Sequence, residues 1–285
     1  MEACGTAHHW ARELTKLGHT VRMMPPSYVK CYVKRSKNDA ADAAAICEAV
    51  ARPSMRFVPV KTAQQQAALM LHRTRDLLIR QRTQLINALR AHLSELGLVA
   101  EKGREGVAEL AAIVSDESNS HALPAAMKQA LQVLLDQLTA LQQQVGELDR
   151  GIQAQHRGSD VSRRLETVPG IGVIGATAIA STTADPSAFK TGRDFAAWIG
   201  LVPRQHSTGG KEKLGSISKH GDRYLRRLLV MGAMAVIQHA RRHPEKHRWI
   251  MTLLAKKPAK LVAVAVANKM ARIAWAIIAL FRPCR

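Results

Sequence analysis

Residues 63–95 have the sequence AQQQAALMLHRTRDLLIRQRTQLINALRAHLSE, a stretch without proline or glycine. Apolar residues recur along it at helical or near-heptad spacing, which predicts a long helix with one apolar stripe: Leu71, Leu78, Leu85 and Leu89. Residues 124–155, PAAMKQALQVLLDQLTALQQQVGELDRGIQAQ, repeat the pattern with Leu131, Leu134, Leu138, Leu141, Val145 and Leu148. At 1.5 Å per residue each helix is about 50 Å long. The pair predicts a helical arm, either an antiparallel hairpin or a coiled coil between chains.

Two further features belong to this arm. The polar, glycine-containing segment Gly97–Ser120 is expected to be a turn or loop between the helices. The run Arg73–Arg90 gives the first helix a basic face, which either contacts nucleic acid or is solvated. Because so long an arm cannot be packed by one small domain, we expect it to serve oligomerisation.

The segment before the arm, residues 1–60, has a mixed pattern. Ala7–Leu17 has helical spacing and ends at Gly18, and His19–Met24 has the pattern of a short strand that a Pro-Pro pair terminates. This combination predicts part of an α/β domain.

Two carboxylates lie close together in this segment. The alanine-rich sequence KNDAADAAAICEAVAR, from Lys37, favours a helix and places Asp39 and Asp42 three residues apart on one face. Such a pair could supply hard oxygen ligands to Mg²⁺. Alternatively, Asp39 caps the helix and Asp42 is a solvated acid in its first turn.

A glycine-rich turn follows the arm. Residues 165–180, LETVPGIGVIGATAIA, end one apolar helix and start another after Pro169, with Gly170 and Gly172 in the turn. The string resembles the helix-hairpin-helix DNA-binding motif, in which exposed backbone N–H groups hold a phosphate. An ordinary tight turn between two helices is the alternative.

Residues 203–227, PRQHSTGGKEKLGSISKHGDRYLRR, place hydroxyl side chains in a small-residue turn among cations. Such a turn can bring a nucleophile against a phosphodiester, because Gly209 and Gly210 permit close backbone approach and the cations neutralise phosphates. Asp222 is a plausible cap for the basic helix that follows, which leaves Arg223, Arg226 and Arg227 free for phosphate.

The composition agrees with a polyanionic partner. Lys and Arg number 42 against 22 Asp and Glu, a formal charge of +20. Charge alone would also suit a ribosomal or membrane-surface protein. Cys4, Cys31, Cys47 and Cys284 show no paired spacing, and no signal segment opens the chain, so a reduced cytoplasm is expected. The apolar stretch Leu261–Phe281 carries charges at its middle and predicts a buried helix rather than a membrane span.

Four ordered stretches resemble insertion-sequence transposases of the bacterial DEDD class, RNA-guided serine recombinases with a RuvC-like domain. They are MEACGTAHHWARELTKLGH, RSKNDAADAAAI, TVPGIGVIGATAIAS and GLVPRQHSTGGKEKLGSISKHGDRYLRRLL. The resemblance implies an α/β plus all-α fold in three parts: a partial ribonuclease H-like (RuvC-like) domain over residues 1–60, a coiled-coil arm over 61–160, and a helical transposase domain with the helix-hairpin-helix and the serine loop over 161–285.

The resemblance also implies residue roles. Glu2, Asp39 and Asp42 match three of the four family acids and would bind Mg²⁺, and Ser207 matches a nucleophile that forms a phosphoserine link to DNA. Thr208, Ser216 and Ser218 lie close enough to leave that assignment open. The residues expected to bind DNA are Gly170, Gly172, His206, Lys211, Lys219, Arg223, Arg226 and Arg227.

The partners implied by the resemblance are DNA, a structured guide RNA and further copies of the chain in a dimer or tetramer, within the bacterial cytoplasm at the nucleoid. The family's first acid lies on a strand before Glu2 that this sequence does not contain, so we expect a truncated copy. Three functions stay open: a transposase, a catalytically inactive remnant that only binds DNA, and a RuvC-like metal-dependent nuclease.

Overall fold

The structure, a computed structural model, describes residues 1–34, 38–116, 118 and 123–280. Several predicted features fall partly or wholly outside these residues: the start of the RSKNDAADAAAI motif, the end of the expected loop Gly97–Ser120, Phe281 and Cys284.

Helices dominate the described residues. They are α1 (Ala7–Lys16), α2 (Pro26–Val29), α3 (Asp39–Val50), α4 (Ala63–Ser94), α5 (Arg104–Ser115), α6 (Ala125–Arg157), α7 (Asp160–Glu166), α8 (Val173–Thr182), α9 (Gly192–Ile199), α10 (Arg223–Arg242), α11 (Arg248–Leu254) and α12 (Ala259–Leu280). Short 3₁₀ turns span Lys30–Tyr32 and Pro186–Ala188, and two strands, β1 (Pro203–Gln205) and β2 (Leu214–Ile217), form an antiparallel sheet. This composition is compatible with the expected α/β plus helical class.

The chain divides into two compact units. One comprises Met1–Leu69 with Ser159–Arg285, and the other comprises Met70–Gly158. We call the second unit the arm. The three-part division with boundaries near residues 60 and 160 stays a prediction.

In the arm, α4 and α6 pair in antiparallel fashion within one chain. Arg75 on α4 forms an ion pair with Asp149 on α6, and a methyl group of Leu71 lies 3.7 Å from the position that a Cβ on Gly151 would occupy. The hairpin alternative is therefore confirmed. Assembly between copies stays a prediction.

The interior of the arm tip includes a helix that the sequence patterns did not indicate. The segment Gly97–Ser120 was expected to be a loop, but α5 occupies its middle. Leu110 and Val114 of α5 are buried with leucines of α4 and α6: Leu89, Leu93, Leu131, Leu135 and Leu138. The expectation was wrong because flanking glycines and charges hid this short apolar stripe.

In the described part of the first sixty residues, two small cores lie around one extended segment. Met24 forms a parallel bridge with Glu2, and Met23 forms an antiparallel bridge with Val58. Consecutive side chains of an extended segment face opposite sides, so Met23 and Met24 are buried in different clusters. The predicted strand His19–Met24 is thus limited to single bridges at its end.

In the carboxyl-terminal part, α7, α9 and α10 pack against α12, and α8 packs against α7 and α10. One face of α12 is buried: Val262, Ala263, Val266, Ala267, Met270, Ala271, Ala274 and Ile278. By length and composition α12 could also span a membrane. Since its apolar stripe lies in the core, the prediction of a buried helix is confirmed over the described residues.

Candidate active site on a serine hairpin

The segment expected to be a serine loop is a two-stranded hairpin, which we call the serine hairpin (residues 203–217). Pro203 pairs with Ile217 and Gln205 with Leu214. Gly209 and Gly210 both have positive φ, 55° and 75°, as a tight hairpin turn requires. The two glycines therefore close the hairpin, a role that the sequence argument did not assign to them.

Ser207 lies beside this turn with an exposed side chain. Its Oγ accepts a hydrogen bond from the Lys213 backbone N–H at 3.3 Å, and the backbone N–H of His206 donates to the Lys213 carbonyl at 2.8 Å. The bond to Oγ engages a lone pair and leaves the hydroxyl proton available to a base. A hydroxyl held in this way can act as a nucleophile once a base or a solvent molecule takes its proton.

The other hydroxyls near the hairpin are placed differently. Thr208 shares a bridge with Lys211 across the turn, so it lies at the tip with Ser207. Ser216 is in β2. Ser218 lies at the base, where its backbone N–H donates to the Val202 carbonyl at 2.8 Å. Of the alternative nucleophiles, only Thr208 lies at the hairpin tip beside Ser207.

Exposed cations lie along the same hairpin as the hydroxyl. Residues 203–219 contain one acid, Glu212, and these exposed cationic side chains: Arg204, Lys211, Lys213 and Lys219. The imidazole of His206 lies across the hairpin, with its Cδ2 3.5 Å from the position of a Cβ on Gly215. The resulting positive potential suits a DNA backbone.

Arg226 of α10 contacts the two chain segments that flank the hairpin. Its Nη1 donates to the Ile199 carbonyl at 2.7 Å and to the His220 carbonyl at 2.8 Å. Burial lowers the pKa of this guanidinium. Two backbone carbonyls thus engage Nη1, so this nitrogen is not available to phosphate, and a role of Arg226 in DNA binding stays a prediction.

The neighbours of Arg226 differ from it. Arg223 is exposed in the first turn of α10, and the guanidinium of Arg227 lies 5.3 Å from the centre of the Tyr224 ring. Asp222 caps α10 by accepting from the backbone N–H groups of Tyr224 and Leu225, which confirms its predicted role. Arg223 thus remains a candidate phosphate contact beside the hairpin.

Lys219 has an unusual backbone. Its φ of 57° places a side-chain-bearing residue in the left-handed region, and its N–H donates to the Gly200 carbonyl at 3.2 Å. Such conformations cost free energy and concentrate at functional sites. The lysine is held beside the hairpin base at the cost of local strain.

The turn between α7 and α8 contains the two predicted glycines. Gly170, with φ of 88°, contacts α10, whereas a Cβ on Gly172 would meet no atom within 4 Å. Gly172 is also the N-cap of α8, so the first backbone N–H groups of that helix follow it. Gly172 is the better placed of the two to approach a phosphate.

The predicted acids lie near the amino terminus. Asp39 and Asp42 are both in the first turn of α3, as expected, while Glu2 lies on the extended segment bridged to Met24. The cap of α3 is Asn38, whose side chain accepts from the Ala41 N–H at 2.7 Å, so the alternative role of Asp39 as cap is wrong. The described residues contain no group of three His, Cys, Asp or Glu placed to share a metal ion, and a metal site formed by Glu2 with the two aspartates stays a prediction.

Comparisons with known proteins identify the family. A family model described as Transposase matches residues 1–97, and one described as Transposase IS116/IS110/IS902 family matches residues 162–248. A probable family 20 transposase of Pseudomonas aeruginosa is 53% identical over 98% of this chain and 82% of its own length. The chain belongs to the IS110/IS116/IS902 transposase family.

Two further similar proteins are named for DNA rearrangement. The transposase for insertion sequence element IS1328 of Yersinia enterocolitica is 41% identical over 97% of this chain and 82% of its own length. A pilin gene-inverting protein of Moraxella bovis is 26% identical over 99% of this chain and 80% of its own length. The two segments matched by the family models include the three predicted acids, Glu2, Asp39 and Asp42, and the serine hairpin.

Some structural determinants of the site escaped sequence reasoning. The two carbonyl contacts of Arg226 and the strained backbone of Lys219 depend on the fold around the hairpin base. Lys213 was missed because its contribution is a backbone N–H, which every residue except proline offers. The one available signal was the Gly-Gly pair, which is typical of a two-residue hairpin turn.

Proposed function

We propose that this chain catalyses transposition of an insertion sequence by cutting and rejoining DNA through Ser207. The observation that carries the proposal is the exposed Ser207 hydroxyl on a cationic hairpin, within the region that the transposase family model spans. Ser207 is favoured over Ser216 and Ser218 because it lies beside the turn, where DNA can approach.

The proposed step is a transesterification. Ser207 Oγ attacks phosphorus, an Oγ–P bond forms and the bond from phosphorus to the 3′ oxygen breaks. The serine proton leaves through a base, and the released 3′ oxygen takes up a proton, so a phosphoserine and a 3′-hydroxyl result. Reversal with a different 3′-hydroxyl rejoins DNA without an external energy source.

The described side chains support this step by electrostatics. Lys211, Lys213 and Arg223 would bind phosphates on either side of the reacting one, and His206 would lie within the same charged surface. Positive groups near the pentavalent phosphorus stabilise its developing negative charge. Gly172, at the start of α8, would hold a further phosphate without reading base sequence.

We also propose a divalent cation at the amino-terminal acids. Asp39 and Asp42, both carboxylates on one turn, would hold it, and when bound it would supply Lewis acidity toward phosphate oxygens. Glu2 matches a family acid and stays a predicted third ligand, and we derive no step through the ion.

The remaining partners are proposed on the family resemblance. They are a structured guide RNA that would select the DNA sites and a dimeric or tetrameric assembly that would bring two DNA ends together. The bacterial cytoplasm is the compartment that would hold such a DNA substrate.

Covalent capture tests the proposal. The full chain is incubated with Mg²⁺, its element's guide RNA and a labelled duplex carrying the element end, then run on a denaturing gel. We expect an adduct with the parent chain and with Ser216→Ala, and none with Ser207→Ala. Thr208→Val, with a hydroxyl removed from the neighbouring position, should also keep the adduct.

Two outcomes would overturn the serine mechanism. Metal-dependent cleavage by Ser207→Ala without any adduct would identify a RuvC-like nuclease. DNA binding by the parent chain without adduct or cleavage, under conditions in which a longer relative reacts, would identify a protein that only binds DNA. In every case the charge predicts an affinity that falls steeply with salt, and a flat salt dependence would contradict phosphate contacts.

A further inference from the structure

A cavity of about 920 Å³ lies in the arm between α4, α5 and α6. Its lining contains four cationic residues and no acid: Arg82, Arg90, Lys102 and Arg104. Apolar side chains, among them Ile86 and Leu135, form another part of the wall. A concave site that is both apolar and strongly cationic fits a ligand with a flat apolar portion and an anionic portion.

The amino terminus of α5 contributes to the cationic side. Gly103, the N-cap of α5, has φ of 126° and offers no side-chain cap to the first-turn N–H groups. Those N–H groups and the helix dipole favour an anion at this end. Lys102 and Arg104, on either side of Gly103, add two positive charges at this end, against one negative charge from Glu105 in the first turn.

Arg90 provides an independent observation. Its Nη2 donates to the Glu101 carbonyl at 2.7 Å, which orients the guanidinium, and its buried Nε has no hydrogen-bond acceptor among the described residues. Buried donors of this kind are rare, since each costs about 1–3 kcal/mol. An acceptor on a bound ligand would satisfy this Nε, which makes Arg90 the cation of the wall best placed to contact an anion.

We propose that this arm cavity binds one unpaired nucleotide of a nucleic-acid strand. The base lies against the apolar wall, and its phosphate lies among Arg90, Arg104 and the start of α5. An unpaired nucleotide is favoured over a base pair because a base must leave its partner and its stack before its face can lie against a concave wall. The inference rests on the proposed function only in taking nucleic acid as the partner.

Filling the cavity without changing its charge gives the test. Ala108 lines the cavity, whereas Ala112, exposed on the same helix, does not. The full chain and the variants Ala108→Trp and Ala112→Trp are titrated into a labelled single-stranded oligonucleotide and into a duplex of the same sequence. We expect Ala108→Trp to lose on the order of tenfold in affinity for the single strand, with duplex affinity unchanged, and Ala112→Trp to bind both as the parent chain does.

Two variants that each remove one positive charge provide a second test. Arg104→Ala should weaken single-strand binding more than Arg73→Ala, which removes an exposed cation of α4 outside the cavity. Equal losses from both, or full binding by Ala108→Trp, would show charge attraction only and overturn the proposal. Ser207→Ala should bind the oligonucleotide normally, so failure of this proposal is distinguishable from failure of the serine mechanism.

Discussion

The carbonyl oxygen of Gly170 lies against Gly232 of α10, so close that a Cβ on Gly232 would be 1.9 Å from it. In the other direction, a Cβ on Gly170 would be 2.8 Å from the Gly232 carbonyl oxygen and 2.9 Å from Cε of Met270. The turn between α7 and α8 is thus seated on α10 by backbone contact, and two glycines are required at the contact. This seating determines how the start of α8, and with it Gly172, is presented.

Gly232→Ala should destabilise the carboxyl-terminal part by about 3 kcal/mol, because backbone atoms on both sides must move to admit the methyl group. Urea unfolding monitored by circular dichroism measures the change. Gly146→Ala is the matched control, since Gly146 lies within α6 with nothing near its Cβ position. There the substitution should stabilise by about 0.5–1 kcal/mol through helix propensity. Similar effects at both positions would contradict the packing argument.

Arg226→Ala should lower the free energy of unfolding by about 2 kcal/mol, because it removes charge-assisted hydrogen bonds to two backbone carbonyls. Arg223→Ala, an exposed position in the same helix, should change stability by less than about 0.5 kcal/mol. Arg223→Ala should bind DNA more weakly than the parent chain, measured at a temperature where both variants are folded. If instead Arg226→Ala is fully stable and loses DNA affinity as Arg223→Ala does, Arg226 is a phosphate contact.

Lys219→Gly should separate stability from binding. Relief of the left-handed conformation, about 1–2 kcal/mol, exceeds the extra chain entropy that glycine loses on folding, about 0.5–1 kcal/mol, so unfolding should become less favourable. One lost phosphate contact should reduce the salt slope of duplex binding by about 0.9. Lys219→Ala removes the same charge but keeps the strain, so it should weaken binding equally without stabilising the fold. A stability gain from the alanine variant would rule out strain as the cause.

The arm should lose stability in mild acid because of His72. This side chain is 2% exposed on α4, and burial, with the nearby charge of Arg75, lowers its pKa from the ordinary 6.5 to about 4. The neutral ring is therefore favoured by folding. Its contribution is fully present above pH 6.5 and is lost as the pH falls toward 4, up to about 3 kcal/mol in all.

Unfolding of His72→Gln over the same pH range should show a weaker dependence between pH 6.5 and 4 than the parent chain does. His92→Gln, which removes an exposed histidine of α4, should keep the parent's dependence. Identical pH profiles for the parent chain and His72→Gln would mean that the pKa of His72 is the same in the folded and the unfolded chain.

The family likeness and the main helices could be predicted from short stretches of sequence. The periodic leucines of α4 and α6, the helix at Asp39–Val50 and the cap at Asp222 each depend on residues a few positions apart. Asn38 was overlooked as a cap because Asp39 beside it is an equally good cap by residue type. The acids were correctly placed on one turn, yet no sequence pattern indicates how near Glu2 comes to them.

The amino-acid sequence by itself determined the helical arm, the basic surface and the Ser207 turn, because periodicity, charge and turn chemistry act between close neighbours in the chain. Only the tertiary structure decided that α5 fills the arm tip, that Arg226 supports the hairpin, and that Gly170 meets Gly232. Each of these contacts joins segments distant in sequence. Their existence depends on how helices pack, and close packing selects among many arrangements that local propensity leaves equivalent.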